Sequence, residues 1–268
     1  MNSKICIIGC GWLGFPFAKK LVDLGLIVHG STTSKDKLTR LKDSQIVPFL
    51  LQLTATGIDG NITSCLNQCQ IVIINIPPKL RKQSTNDYIR QMTYLRDAIA
   101  KSSAEKVLFI SSTSIYDDEE HYPIIKEDSP VSSSKKALAL VEVEHLFSNN
   151  TNFKTTILRC GGLFGNDRHP ARFLSGRTGL KNGDAPVNLI HRTDCINSML
   201  AILRLNIWNT TFNAAIPSHP SKINYYTAIC KQLQLPIPVF NRTSVSKGKI
   251  IDATKLMQRL NYKFEVKL

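Results

Sequence analysis

Three clusters of residues along this chain have the types and spacing to do chemistry. The first is Gly9-Cys10-Gly11-Trp12-Leu13-Gly14, which follows the apolar run Ile5 to Ile8 and opens a segment of helical periodicity. At a strand-to-helix turn Gly9 permits the tight bend, Gly11 lets backbone approach a pyrophosphate without a Cβ in the way, and Gly14 lets helix and strand pack closely. A pyrophosphate there lies on free N–H groups at the positive end of the helix dipole. Such a motif also arises by chance as a glycine-rich turn. Here the preceding strand, the apolar Ala18, Leu21, Val22 and Leu24, and the new strand at Ile27-Val28 favour a dinucleotide site that includes Cys10, Trp12 and Leu13. The helix N-terminus is expected to lower the Cys10 thiol pKa.

The second cluster is the hydroxyl run that ends Val107-Leu-Phe-Ile-Ser-Ser-Thr-Ser-Ile-Tyr116, placing several OH groups at the carboxyl edge of a strand. Directly after it come Asp117-Asp118-Glu119-Glu120 and His121. Clustered carboxylates raise one another's pKa toward the range of a general acid, although a solvated acidic loop is the plainer reading. The third cluster is Arg168, His169 and Arg172 after Gly165. Paired arginines suit a phosphate or carboxylate on a substrate.

The elements that must position these groups alternate through the first two thirds of the chain. Strands are expected at Lys4 to Ile8, Ile27 to Ser31, Val47 to Leu53, Ile71 to Ile76, Val107 to Ser111 and Thr155 to Leu158. Helices are expected up to Leu24, around Lys35 to Lys42, and at about Asn86 to Ser102 and Lys136 to Phe147. This alternation predicts an α/β chain, a Rossmann doubly wound parallel sheet with ligands outside the carboxyl ends of the strands. From Gly165 onward Gly and Pro break the pattern, with shorter helical stretches at Thr193 to Leu205 and Ile223 to Gln234. The expected division is a dinucleotide-binding domain over residues 1–165 and a smaller substrate-facing lobe over 166–268, interleaved with the main sheet.

A length of 268 residues with 43% apolar content can bury a sizeable core. The longest apolar runs are far shorter than the roughly 20 residues that span a bilayer. The polar Asn2-Ser3-Lys4 leads straight into the first strand, so neither signal peptide nor membrane partner is expected and the location is read as cytoplasmic. Seven scattered cysteines, with Cys65 and Cys69 lacking a second pair, point to reduced thiols and to no metal site. Lys and Arg outnumber Asp and Glu by 34 to 20, a net charge of +14. The basic groups, such as Lys35-Asp36-Lys37, Lys79 to Lys82 and Lys135-Lys136, are dispersed without aromatic interleaving, which argues against specific nucleic-acid binding.

Taken in order, Gly9-x-Gly11-x-x-Gly14, the Ser112 run, Glu127-Asp128-Ser129-Pro130, Arg159-Cys-Gly-Gly-Leu-Phe-Gly165 and Ile190-His191-Arg192-Thr193-Asp194 resemble the extended short-chain dehydrogenase/reductases. That family includes sugar-nucleotide epimerases and dehydratases. Lys249 to Leu256, followed by Leu260-Asn261-Tyr262, resembles its closing element. The resemblance implies that Ser112 orients a substrate carbonyl or hydroxyl as the catalytic hydroxyl, with Ser114, Tyr116, Arg168 and Arg172 on the substrate. It implies Asn75, Ile76 and Pro77 on the cofactor, and a possible homodimer. The family's Tyr-xxx-Lys, which puts a proton donor and its pKa-lowering Lys on one helix face, falls at Lys136 and Leu140 when Glu144 is the anchor. Anchoring on Glu142 gives Ser134 and Leu138. Neither register supplies the pair, so the resemblance is to the atypical branch of the family. Asp194 is expected to cap its helix and His191 to pack beneath the cleft.

An NAD site usually has an acidic residue ending the second strand, about 20 residues past the glycines. The stretch here reads Gly30-Ser31-Thr32-Thr33-Ser34-Lys35, and Thr33, Ser34, Lys35 and more distantly Arg40 suit a 2′-phosphate. NADP is therefore expected in preference to NAD, with a small-molecule substrate. The acidic adenine contact of the family is replaced by Gln52-Leu53. Two other readings stand beside the oxidoreductase or epimerase one: a catalytically inactive NADP(H)-binding sensor or interaction protein, and a β-hydroxyacid-dehydrogenase type whose later half is a helical bundle.

Overall fold

The computed structural model describes residues 4–78, 80 and 83–268. Asn2 and Ser3, and Lys79, Arg81 and Lys82 of the basic group, lie outside the described residues. Seven strands form the main sheet: β1 (Lys4–Ile8), β2 (Ile27–Thr32), β3 (Val47–Leu50), β4 (Cys69–Ile74), β5 (Lys106–Ser112), β6 (Lys154–Cys160) and β7 (Thr210–Ala214). Their order is β7-β6-β5-β4-β1-β2-β3. The pairs β1–β2, β1–β4, β2–β3 and β4–β5 are parallel. The chain leaves β1 toward β3 on one side and resumes at β4 on the other, so strand order reverses beside β1. In open α/β sheets that reversal is where a ligand crevice forms.

Local sequence explains the elements. Ile5, Cys6, Ile7 and Ile8 are all buried, as are Val72, Ile73 and Ile74, which is the continuous apolar character of strands covered on both faces. The larger helices are α1 (Gly14–Asp23), α2 (Lys37–Asp43), α3 (Thr85–Ala100), α4 (Lys135–Ser148), α5 (Arg192–Arg204) and α6 (Lys222–Gln232). Ser84, Ser134 and Ser221 cap α3, α4 and α6 by accepting from the N–H groups of Asp87, Ala137 and Asn224. The expected strand Val47 to Leu53 stops at Leu50. Leu51 is buried with its N–H on the Thr32 carbonyl, and Gln52–Thr54 then pairs antiparallel with Gly57–Asp59.

Contacts divide the chain into two units. The first runs up to Ser111 and includes Ser133–Leu158 and Asn206–Thr211; the second comprises Ser112–Ser132, Arg159–Leu205 and Phe212–Leu268. A single cut at 165 does not reproduce this division, because β5, β6 and β7 each pass from the first unit into the second. The second unit has its own core, built on Phe164, Val187, Leu189, Ile216, Tyr225 and Tyr226. The alternative expectation of a helical bundle after residue 165 is overturned: Leu189–His191, β7 and Ile250–Ile251 are strands. No helix among the described residues is long and apolar enough to cross a membrane.

Candidate functional site

The first unit holds a groove of about 610 Å³ at the carboxyl ends of β1, β2 and β4, where the sheet order reverses. Its floor is laced by backbone and short side chains. The Gly9 N–H donates to Ser31 Oγ (3.0 Å), the Cys10 N–H to the Ser31 carbonyl (2.8 Å), and Asn75 Nδ2 to the Gly9 carbonyl (3.1 Å). Gly9 has φ +107°, and a Cβ there would lie 2.3 Å from the Asn75 carbonyl oxygen. A Cβ at Gly14 would lie 2.2 Å from the Gly9 carbonyl oxygen. Both positions are therefore required by the protein's own backbone. Gly11 differs: a Cβ there meets nothing within 4 Å, and the residue lines the groove. The protein leaves this space open where a pyrophosphate needs close backbone approach, so the residues present fit a dinucleotide.

Of the residues expected on the cofactor, Gly9, Cys10, Gly11, Thr33, Asn75, Ile76 and Pro77 line the groove. Trp12, Leu13, Gly14, Ser34 and Lys35 are not among its lining residues. Leu13 is buried, and Gly14 packs against Gly9. Cys10 departs from expectation in its chemistry. Its sulfur is buried against Gly30, and burial pushes the thiol up to about 12, outweighing any helix dipole. Lys37, the exposed first residue of α2, lines the groove in place of Lys35. Arg40, one helical turn on, stacks its guanidinium 4.1 Å from the Phe15 ring centroid. Sequence reasoning also missed Gln83 and Gln91, which line the groove and bond to each other at 2.9 Å. Nothing in their spacing signalled it.

The helix expected to carry Tyr and Lys carries Lys136, exposed, and Leu140, buried. Glu144, on the same helix, is buried and accepts a 2.5 Å bond from the Ser111 hydroxyl.

In the second unit, Ser112 caps the short turn Thr113–Ile115, its Oγ accepting from the Ser114 N–H at 3.1 Å. That bond uses a lone pair and leaves the hydroxyl proton free to donate. Ser114 is exposed, as are Arg168 and Arg172. Tyr116 requires a correction. Expected on the substrate, it is 2% exposed, and its hydroxyl donates to Asn213 Oδ1 (3.0 Å) and accepts from Arg159 Nη1 (2.6 Å). Arg159 also reaches the Glu127 carbonyl, and the Asn213 N–H reaches Glu127 Oε1. These residues form one buried polar network. Two members of the acidic run have lysine partners: Lys249 pairs with Asp118 at 2.9 Å and Lys247 with Glu120 at 3.3 Å, while the His121 ring lies 3.4 Å from Glu119.

The cap role expected of Asp194 falls to His191, which is itself buried. His191 is the helix cap, its Nδ1 accepting from the Thr193 N–H at 3.2 Å. Asp194 is fully buried and accepts from the Tyr262 hydroxyl (2.6 Å) and the Glu265 and Val266 N–H groups (2.7 and 3.2 Å).

A model of the NAD dependent epimerase/dehydratase family matches residues 5–215. The chain belongs to that family. Protein YeeZ of Escherichia coli (strain K12) is 30% identical over 268 residues, covering 98% of this chain and 96% of YeeZ. Among solved structures, a UDP-glucuronic acid 4-epimerase from Bacillus cereus in complex with NAD aligns with a TM-score of 0.80 at 18% identity, over 98% of this chain and 92% of that one. MoeE5 in complex with UDP-glucose and NAD aligns with a TM-score of 0.78 at 15% identity, over 99% and 95%. At such identities the two structures establish a shared fold. Membership in the epimerase/dehydratase family overturns the β-hydroxyacid-dehydrogenase alternative and fits the glycine geometry of the groove.

Proposed function

We propose that the groove of the first unit binds NADP(H) in preference to NAD(H), and that the chain is an oxidoreductase or epimerase/dehydratase-type enzyme for a small or sugar-type substrate. The observation that carries the coenzyme reading is the lining itself. Among the described lining residues there is no carboxylate, while Thr33 directly follows β2 and Lys37 opens α2. An NAD site holds the ribose 2′-OH with an acid there; a cation and a hydroxyl suit a 2′-phosphate instead. When bound, a nicotinamide coenzyme supplies hydride transfer. The chain's own contribution is to hold and orient. Ser31 and Asn75 fix the Gly9 turn, Gly11 admits the pyrophosphate, and Ser112 offers a hydroxyl proton to a substrate oxygen. Proton transfer by a helix-borne Tyr and Lys is not part of the scheme, since those positions hold Lys136 and Leu140.

That same absence favours a second reading, an NADP(H)-binding sensor without turnover. Titration with NADPH, NADP⁺, NADH and NAD⁺ tests the first step. NADPH is expected to bind at least about tenfold tighter than NADH, and Lys37→Glu to remove that preference, a cost of about 1.4 kcal/mol. Equal or tighter NADH binding would overturn the NADP assignment. A substrate screen then separates the readings: turnover that falls in Ser112→Ala identifies the enzyme, and coenzyme binding without turnover identifies the sensor.

A further inference from the structure

Outside the lining of the groove, the first unit gathers three thiols and an imidazole. Cys6 lies on β1, Cys65 on the short helix Ile62–Leu66 and Cys69 at the start of β4, all fully buried and none in a disulfide. The Cys6 and Cys65 sulfurs stand 3.4 Å apart, in van der Waals contact. Cys6 and His29 are neighbours in the β1–β2 register, and His29 Nδ1 donates to the Cys65 carbonyl at 2.8 Å. The Cys69 thiol reaches the same carbonyl at 3.6 Å, and the Cys65 N–H donates to the Asn61 carbonyl at 3.2 Å. Cys65 is thus held by its backbone while its sulfur rests on Cys6.

Two thiols in contact are one oxidation from a covalent bond, provided an oxidant reaches them. The helix Ile62–Leu66 has only five residues, and Thr63 and Ser64 on it are exposed. It also stands against two cavities. Ile62 lines the dinucleotide groove, and Ile62, Thr63 and Leu66 line a second cavity of about 790 Å³ with Tyr94 and Lys101. A helix of little more than one turn beside open space belongs to the part of a fold that opens locally, without global unfolding. We propose that Cys6 and Cys65 are an oxidisable pair, a modification site at which a peroxide installs a disulfide that pulls on the wall of the groove. On opening, the Cys65 sulfur attacks a peroxide oxygen; the O–O bond breaks, and the departing hydroxide takes the thiol proton as water. Cys65 is then a sulfenic acid. The Cys6 sulfur attacks it, the S–O bond breaks as the S–S bond forms, and the Cys6 proton leaves with the second water. Two thiols lose two electrons and two protons, and one peroxide becomes two waters. Burial holds the Cys6 thiol well above its ordinary pKa, which suits it to the second role rather than the first. The bond brings the sulfurs to about 2.0 Å, about 1.4 Å nearer than in the dithiol, and Ile62 moves with the helix.

The test treats the whole protein with hydrogen peroxide, blocks the remaining thiols with N-ethylmaleimide and maps disulfides by mass spectrometry of the unreduced digest. The expected result is a peptide linked through Cys6 and Cys65 that dithiothreitol reverses. Cys160 and Cys195 give an internal comparison: their sulfurs stand 3.7 Å apart, but Cys195 belongs to the 13-residue α5. A bond there should form at least about tenfold more slowly, because a long helix opens less readily. Cys6→Ala and Cys65→Ala should each abolish the linked peptide, and Cys69→Ala should retain it. A peptide linked through Cys69, a Cys160–Cys195 bond that forms first, or persistence of all seven thiols at a dose that fully oxidises free glutathione overturns the proposal. The effect on the groove rests on the coenzyme reading; the bond does not. NADPH affinity should fall at least about threefold on oxidation and recover on reduction, with no change in Cys65→Ala. Unaltered affinity in the oxidised protein overturns the pull on the groove. Failure of the reduced protein to bind any dinucleotide overturns the coenzyme reading and leaves the mapped bond to decide the thiol pair.

Discussion

In the first unit backbone geometry positions the site; in the second, buried polar side chains do. Around the groove, β1 and β4 are apolar, and the turn between β1 and α1 is fixed by glycines whose absent Cβ atoms make room for carbonyl oxygens. In the second unit, Arg159, Tyr116, Asn213 and Glu127 tie loops and strand ends together, and Asp194 collects three donors from the C-terminal segment. A backbone-built site tolerates change wherever the chain faces open space and fails wherever carbonyls crowd. A network-built site loses stability with each partner removed. The two units should accordingly respond to mutation in different ways.

The largest effect is expected within the glycine motif itself. Gly14→Ala and Gly9→Ala each force a Cβ to within 2.2–2.3 Å of a carbonyl oxygen, the second also at a positive φ. Each should cost roughly 3 kcal/mol or more by adding overpacking to backbone strain. Gly11→Asp faces open space and should leave the unfolding free energy from urea denaturation within about 0.5 kcal/mol of the parent, while abolishing coenzyme binding. Equal destabilisation by all three would show that the division of roles among these glycines is wrong.

In the second unit, Tyr262→Phe removes one of three donors from a fully buried carboxylate and should cost about 1–3 kcal/mol in urea denaturation. Asp194→Ala, which strands the Tyr262 hydroxyl and two N–H groups together, should cost more. If neither moved the midpoint, the C-terminal segment would not be held by this carboxylate.

The same contrast explains what could be read from the letters. The glycine motif, the order of strands and helices and the absence of an acid at the end of β2 are local patterns, and each was legible because a few consecutive residues determine it. Tyr116 was misread because its hydroxyl is claimed by residues 43 and 97 positions away. Asp194 was misread for the same reason, its hydroxyl donor lying 68 positions on. A capping residue and a buried acceptor look alike in a short window. Lys37 was missed in favour of Lys35 because the register of α2 depends on where its first turn begins, and a shift of two residues reverses which lysine faces the groove. Cys10 was misjudged because a turn's position in sequence gives the dipole and leaves out burial, and burial dominates there.

The smallest effect is one of pH, and it is confined to the second unit. His169 and His191 are each held below the ordinary histidine value, chiefly by burial, with Arg172 adding to the effect at His169. The geometry gives the atomic reason. His169 Nδ1 accepts from the Ala171 N–H at 3.1 Å, and His191 Nδ1 accepts from the Thr193 N–H at the start of α5. A proton on either nitrogen removes the acceptor and, at His191, uncaps the helix. The folded form therefore prefers both rings neutral, while the unfolded chain binds protons from pH 6.5 downward. Their contribution to stability is complete above that value and is lost as pH falls through it toward the lower folded values. Urea midpoints should decline between about pH 7.5 and about pH 5.5. The double variant His169→Gln, His191→Asn should flatten that decline, because Asn caps a helix without titrating. An unchanged slope in the double variant would place the acid sensitivity elsewhere and remove these two rings from the account.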